Sequence, residues 1–120
     1  MNAFDSTSAS VISAATHPNE LDRKRIERAI GNRKRYRYVS PSVDICRDGY
    51  VIRSPCCSRN VDPGGGVVDI ALVQYWEGPT PWAIYRRDHG TGAWCLHAVH
   101  DRLPDLLEQL NLDPLRQFWQ

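Results

Sequence analysis

This sequence lacks long hydrophobic runs, and its few cysteines do not have the spacing that is typical of a metal site. No segment approaches the ~20 consecutive apolar residues of a transmembrane helix, so we expect no membrane contact. The first ten residues carry no lysine or arginine, and no arginine precedes Arg23, which argues against a signal peptide and a mitochondrial presequence. The cysteines are too few and too irregularly spaced for a disulfide-stabilised secreted domain: Cys46, Cys56, Cys57 and Cys95. These absences predict a cytoplasmic protein with reduced thiols.

Motifs that usually accompany catalysis are missing as well. The glycines at positions 64–66 are not followed by the Gly-Lys-Ser/Thr of a phosphate-binding loop. Cys95 with His97 or His100 would supply a thiol and a base, but no pattern places that thiol at a sharp turn or a helix N-terminus. We therefore predict a protein that is not an enzyme and that needs no cofactor.

Zinc binding is an alternative that the residue types allow. Structural zinc sites usually take paired ligands two to four residues apart on a tight turn, and the candidate ligands here fit that pattern poorly. Adjacent Cys56 and Cys57 would point to opposite faces of a strand, whereas Cys95 and His97 would share a face. The prediction is that no metal is bound. If one is, Cys56, Cys95 and His97 are its expected ligands.

The net charge is only +1, which gives no global reason to expect nucleic acid or a membrane as a partner. Charged residues make up 24% and hydrophobic residues 42% of the chain, as in folded domains. The basic residues are concentrated, however, in one segment: Arg23, Lys24, Arg25, Arg28, Arg33, Lys34, Arg35 and Arg37. Because the C-terminal third is acidic by comparison, we expect a dipolar molecule.

The chain is predicted to contain a tail and one domain. Residues 1–18 are rich in serine, threonine and alanine and lack apolar periodicity, so we interpret them as a disordered tail before a single domain at 19–120. Asn19 is typical of a helix N-cap, and Glu20 and Asp22 suit the positive end of the helix dipole. This helix is expected to end at Gly31. Its apolar face is narrow, so most of the basic surface would be solvated or bound to something acidic.

From Tyr36 onward the pattern changes to the period-two alternation of strands. Asp48-Gly49 predicts a tight hairpin, and the segment at 67–75 is apolar on both faces, which suits a central strand. Two strands rich in tryptophan and tyrosine follow, and then leucines spaced as on one helix face. The sequence predicts an α+β fold. An antiparallel meander of about five strands would carry an N-terminal basic helix and a C-terminal leucine-rich helix packed on the sheet.

This fold predicts a set of residues that are buried together. Large-to-small substitution of such a residue costs roughly 2–5 kcal/mol, which makes Leu106→Ala a test of the packing. After the final helix, Leu115, Phe118 and Trp119 are expected to anchor the end of the chain. The predicted core consists of Ile45, Ile52, Ile70, Leu72, Ile84, Leu96, Leu103, Leu106, Leu107 and Leu110.

Four segments also occur in an order that suggests a family. They are Arg25-Ile26-Glu27-Arg28-Ala29-Ile30, the strand from Trp82 to Asp88, Trp94-Cys95-Leu96-His97, and a close with Asp113-Pro114 and Phe118-Trp119. In these segments the chain resembles DUF3024, a bacterial family of unknown function, over roughly residues 21–120. The resemblance implies the same α+β fold. Because the family has no established activity, the resemblance implies no catalytic residues.

We therefore expect a small binding module that holds a protein partner, or a second copy, through an aromatic sheet surface. Trp76 and Trp82 are interpreted as exposed aromatics of that surface, since tryptophan and arginine are enriched where proteins bind. An alternative is nucleic-acid binding by the basic segment at 23–37, with Tyr36 and Tyr38 stacking on bases. The candidate partner-binding residues are Arg23, Lys24, Arg28, Arg33, Lys34, Arg35, Arg37, Trp76, Trp82 and Arg86.

Overall fold

The computed structural model describes residues 17–33, 40–55 and 66–119. Its elements are α1 (Glu20–Ile30), β1 (Ser42–Cys46), β2 (Gly49–Pro55), β3 (Val67–Tyr75), β4 (Trp82–Arg87), β5 (Trp94–His100) and α2 (Leu103–Leu112). The strands form one antiparallel sheet in the order β1-β2-β3-β4-β5. The predicted α+β meander, with β3 central and a helix at each end, is therefore confirmed. Among the described residues, no helix is long and apolar enough to cross a membrane.

Local signals define both helices. At the start of α1, the Asn19 side chain accepts a hydrogen bond from the Asp22 backbone N–H at 2.8 Å, as an N-cap does. Helix α2 has proline in its first turn and ends at Asp113, whose φ of 31° lies in the left-handed region. Of the predicted tail at 1–18, only His17 and Pro18 lie among the described residues.

Both helices pack on the same face of the sheet. Helix α1 lies against β1 and α2, and α2 lies against β4 and β5. The buried cluster between the helices and the sheet contains seven residues of the predicted core: Ile52, Ile70, Ile84, Leu103, Leu106, Leu107 and Leu110. It also contains Phe118 and Trp119, as expected of a C-terminal anchor, whereas Leu115 is exposed. The opposite face of the sheet, which we call the open face, carries no helix among the described residues.

Two β-bulges interrupt the register of the sheet. Between β2 and β3 the pairing leaves Ile70 as an extra residue. Between β4 and β5, Ile84 pairs with Ala98 but Tyr85 pairs with Leu96, so His97 is the extra residue. Leu96 and Ala98 would share a face of a regular strand. The extra residue places Ala98 on the helix-covered face and Leu96 on the open face.

The bulges and the sheet edges correct three of the core predictions. Leu96 is 58% exposed, because the bulge at His97 places it on the open face. Ile45 is 42% exposed, since it lies near the end of β1, which among the described strands has a neighbour on one side only. Leu72 is buried, but it pairs with Tyr85 on the open face and lies outside the main core.

Candidate functional site

The open face presents apolar side chains from four adjacent strands. The register aligns Val51, Leu72, Tyr85 and Leu96 in one row across β2 to β5. The next row contains Gln74, Ala83 and Val99. Directly opposite side chains on antiparallel strands lie about 4.5–5.5 Å apart at Cβ, so each row is continuous. This alignment depends on the bulge in β5, which brings Leu96 opposite Tyr85.

Three side chains of these rows, Tyr85, Leu96 and Val99, together with Trp76 just after β3, form what we call the aromatic sheet patch. Trp76 and Leu96 are each 58% exposed and Val99 is 49% exposed, while Tyr85 is half-buried. The Trp76 indole N–H donates to the Gln74 side-chain oxygen at 3.0 Å, which holds the ring beside the second row. A cluster of large apolar side chains on one face, without a covering helix, is typical of a protein-binding surface.

A line of alternating charges borders this patch on the same face. Arg53 lies 3.3 Å from Asp44 and 2.9 Å from Asp69. Arg87 lies 3.6 Å from the other oxygen of Asp69, and its guanidinium covers the Trp94 ring at 4.8 Å. Each exposed pair contributes little to stability. The line nevertheless neutralises its own charges, so these described residues offer no surplus of positive charge to phosphates.

The basic segment is less available to a partner than its sequence suggests. Arg23 pairs with Glu20 and Glu27 and also donates to the Val43 carbonyl at 3.3 Å. The hydrogen bond from Arg23 to Glu20 raises the pKa of that arginine above its ordinary value. Lys24 and Arg28 are exposed. The predicted binding residues Lys34, Arg35 and Arg37 lie outside the described residues.

Two predicted binding residues are buried, which corrects their interpretation as exposed groups. Arg33 is 4% exposed because its guanidinium lies over the Trp119 ring at 4.5 Å and donates to the Ile30 carbonyl at 2.8 Å. Burial lowers the pKa of Arg33 below its ordinary value. Trp82 is 7% exposed because it packs against Tyr75 within the core. Arg86 is half-buried opposite Ala71 and Cys95, away from the aromatic sheet patch.

Within the described ranges, the candidate zinc ligands are not gathered into one site. The part of the chain that the structure describes contains no group of three or more His, Cys, Asp or Glu side chains arranged to hold a metal. His97 packs edge-on against Phe118 with ring centroids 4.9 Å apart, and Cys95 is a half-buried free thiol. His100 is hydrogen-bonded to Gln109 of α2. Cys56 lies outside the described residues.

A polar cluster that sequence reasoning missed lies where the chain enters α1. The Tyr50 hydroxyl accepts the Asn19 backbone N–H at 2.9 Å and is hydrogen-bonded to His17 Nδ1 at 3.1 Å. The His17 ring stacks on Tyr75 with centroids 3.9 Å apart, and its Nδ1 lies 3.6 Å from Asp22. No motif links His17 to Tyr50 across 33 positions, so the contact appears only in three dimensions. The cluster fixes the start of α1 to the sheet.

Comparison with known proteins identifies the family and no nearer relative. Residues 14–120 match the model of a family described as a domain of unknown function, DUF3024. The chain belongs to the DUF3024 family. No curated protein and no solved structure matches it. In this DUF3024 chain, the segments that carried the resemblance divide between two places: Trp82, Phe118 and Trp119 are buried in the core, whereas Tyr85 and Trp94 lie on the open face.

Proposed function

We propose that this DUF3024 chain is a small binding module whose aromatic sheet patch holds a protein partner. The observation that carries the proposal is the exposure of Leu96 and Val99 on the open face, with the exposed Trp76 held beside Gln74 at the edge of the same rows. Covering one such side chain with a partner would contribute roughly 1–2 kcal/mol to the free energy of binding, since about half of its surface is already shielded from water by the protein. Several together are enough to support specific binding.

The chemistry of the partner follows from the surroundings of the patch. The bordering charges from Asp44 to Arg87 are already paired with one another. A highly charged partner would therefore gain little from them and would have to remove their water. We infer a partner whose contacting surface is apolar and low in charge, and binding that depends weakly on salt.

Nucleic-acid binding has less support from the described part of the basic segment. Arg23 and Arg25 are committed to ion pairs within α1, and Arg33 is buried beneath the end of the chain. Phosphate contacts would release counterions and make affinity fall steeply with salt. Because these described arginines are already engaged, a titration with generic single- and double-stranded nucleic acid at ~50 mM salt should show no binding.

A pair of matched variants tests the proposed surface. Trp76→Ala combined with Leu96→Asp disrupts the patch, and Leu115→Asp places the same charge at an exposed leucine outside it. Affinity capture with wild type and both variants should retain a protein that only the patch variant loses. Calorimetric titration with that purified protein should then show at least ~10-fold weaker binding to the patch variant. Equal binding to all three chains, or salt-sensitive binding to nucleic acid, would contradict the proposal.

The proposal includes the cytoplasm of a bacterial cell as the location. The family resemblance is to bacterial proteins, and Cys46 and Cys95 are free thiols, as reducing surroundings would keep them. Thiol alkylation of fractionated cells should find both cysteines reduced in the cytoplasmic fraction.

A further inference from the structure

The two helices enclose a groove on the side of the molecule away from the open face. Helices α1 and α2 are joined by the Asn111 side-chain amide, which donates to the Ala29 carbonyl at 2.9 Å. Between the two helices, on the solvent side of this contact, lies a groove of about 980 Å³. Its floor is apolar, formed by Ala29, Leu103 and Leu107, and the strongly exposed Leu112 stands at one end. We call this the interhelical groove.

The walls of the interhelical groove carry opposite charges. Arg25 and Arg28 of α1 form one wall, and Asp105 and Glu108 of α2 form the other. Arg25 pairs with Asp22 of its own helix. Arg28, Asp105 and Glu108 form no ion pair with any residue in the described ranges. The basic and acidic walls thus face each other without neutralising each other.

The helices run in the same direction along the groove. Leu103 and Pro104 at the start of α2 share a cavity with Leu21 near the start of α1. Asn111 near the end of α2 bonds to Ala29 near the end of α1. A rotation of 180° about an axis parallel to both helices therefore places α1 of one copy against α2 of the other, at matching heights. A two-fold axis across the helices would instead place like charges together.

We propose that the interhelical groove is the interface of a symmetric dimer, with a second copy of this chain as its occupant. The surface is self-complementary, as a two-fold interface requires: the basic wall of each copy meets the acidic wall of the other. Apolar residues at the centre and charges at the sides follow the arrangement by which paired helices select partner and orientation. Leu112 is covered when the two copies meet. This interface goes beyond the proposed partner-binding function and leaves both aromatic sheet patches exposed.

The length of the two helices limits the area of the dimer interface and therefore the expected affinity of self-association. Helices of 11 and 10 residues extend only about 15–17 Å, so the interface lies at the small end of the specific range. We expect dissociation constants in the range of about 1–100 μM. Sedimentation velocity over a matching concentration series should show the wild-type chain changing from monomer to dimer.

Charge reversal tests the pairing of the walls. Arg28→Glu and Glu108→Arg should each weaken self-association at least ~10-fold, because each places like charges opposite one another. Mixing the two variants should restore a dimer with one copy of each, and the double variant should dimerise with itself. Lys24→Glu is the matched control, since this exposed residue does not line the groove and its reversal should leave the dimer unchanged. Far-ultraviolet circular dichroism confirms that every variant is folded.

Three results would overturn the proposal. The first is a wild-type chain that remains monomeric up to ~1 mM, a concentration at which even weak specific interfaces associate. The second is a dimer that both charge reversals leave intact. The third is a dimer lost in the Trp76→Ala, Leu96→Asp variant but kept in Arg28→Glu, which would place self-association on the open face. The first two results do not bear on a heterologous partner at the aromatic sheet patch, so the two proposals can fail separately.

Discussion

At the scale of single residues, the carboxylate of Asp113 fixes the end of the described chain. It accepts backbone N–H groups from Gln117 at 2.8 Å, Phe118 at 3.0 Å and Trp119 at 2.7 Å. Hydrogen bonds to a charged acceptor are stronger than those between neutral groups. Together with the hydrogen bond from the Trp119 indole N–H to the Leu110 carbonyl at 2.9 Å, these contacts hold the Trp119 ring where the Arg33 guanidinium can cover it.

Replacing Asp113 should therefore destabilise the whole domain. We expect Asp113→Ala to lower the free energy of unfolding by about 2–4 kcal/mol, because three N–H groups lose their acceptor and alanine disfavours the left-handed backbone. Asp113→Asn keeps one acceptor oxygen and tolerates that backbone, so its effect should be smaller. Urea denaturation followed by tryptophan fluorescence measures both. An alanine variant with the wild-type midpoint would show that the carboxylate is dispensable.

Tyr50 makes stability depend on alkaline pH. Burial raises the pKa of its hydroxyl above the ordinary value of 10.0, and the N–H that Asn19 donates offsets this only in part. The folded chain therefore keeps this proton at pH values where the unfolded chain has lost it. The corresponding stability is complete below pH 10.0 and is lost as the pH rises through the raised folded-state pKa.

Removing the hydroxyl should remove this dependence. Tyr50→Phe leaves the Asn19 N–H without an acceptor, so we expect a loss of about 1–2 kcal/mol at neutral pH. The urea midpoint of the Tyr50→Phe variant should then decline less than that of wild type between about pH 9 and pH 11. Tyr85→Phe, on the open face, is the control and should retain the wild-type decline. Identical pH profiles for wild type and Tyr50→Phe would refute the assignment.

At the scale of elements, α2 contributes the larger share of the helix packing. Leu103, Leu106, Leu107 and Leu110 are all buried against the sheet and α1. Helix α1 buries chiefly Ile26 and Ile30. A narrow stripe binds a helix less firmly than a broad one, so α1 depends on its N-cap and on the His17 cluster as well.

Truncating the centre of the α2 stripe tests this packing. Leu106→Ala should lower the free energy of unfolding by about 2–5 kcal/mol, since Leu106 is fully buried and its removal leaves a cavity. Leu115→Ala removes the same atoms from an exposed leucine and should change stability by less than ~0.5 kcal/mol. Equal urea midpoints for the two variants would mean that α2 does not pack as described.

Periodicity predicted the elements and their order, but it could not reveal the bulges. The α2 leucines and the apolar segment that became β3 carry their signal within a few neighbouring residues. The extra residue His97 leaves no mark on the alternation of β5, so the sequence pattern predicts a buried Leu96 although this residue belongs to the candidate binding surface. Of that surface, the sequence indicated Trp76, and Tyr85 became apparent only from the strand register.

The sequence also could not predict that Arg33 and Trp82 are buried, but here the reason is different. Each is covered by a residue that is distant in sequence: Trp119 lies over Arg33, and His17 packs edge-on against Trp82. Arginine and tryptophan are common on binding surfaces, so the sequence alone favoured exposure for both. Contacts between residues that are distant in the sequence bury both side chains.

At the scale of the whole molecule, the helix layer separates two surfaces of different character. The open face is apolar with self-neutralised charges, and the interhelical groove carries one wall of each sign. A dimer formed through the groove would point its two aromatic sheet patches in opposite directions. Such a dimer could hold two partner molecules, or two sites on one partner, with the gain in effective concentration that two linked sites provide.

The order of the strands has a further consequence for how this chain reaches its structure. Every described strand pairs with its neighbour along the chain, so the sheet can grow one strand at a time. The contacts that join Ala29 to Asn111 and Arg33 to Trp119 close the longest loops. These contacts are expected to form after the rate-limiting step. Weakening them would then speed unfolding while leaving the folding rate nearly unchanged, so the lifetime of the native state is set where the end of α1 meets α2 and Trp119.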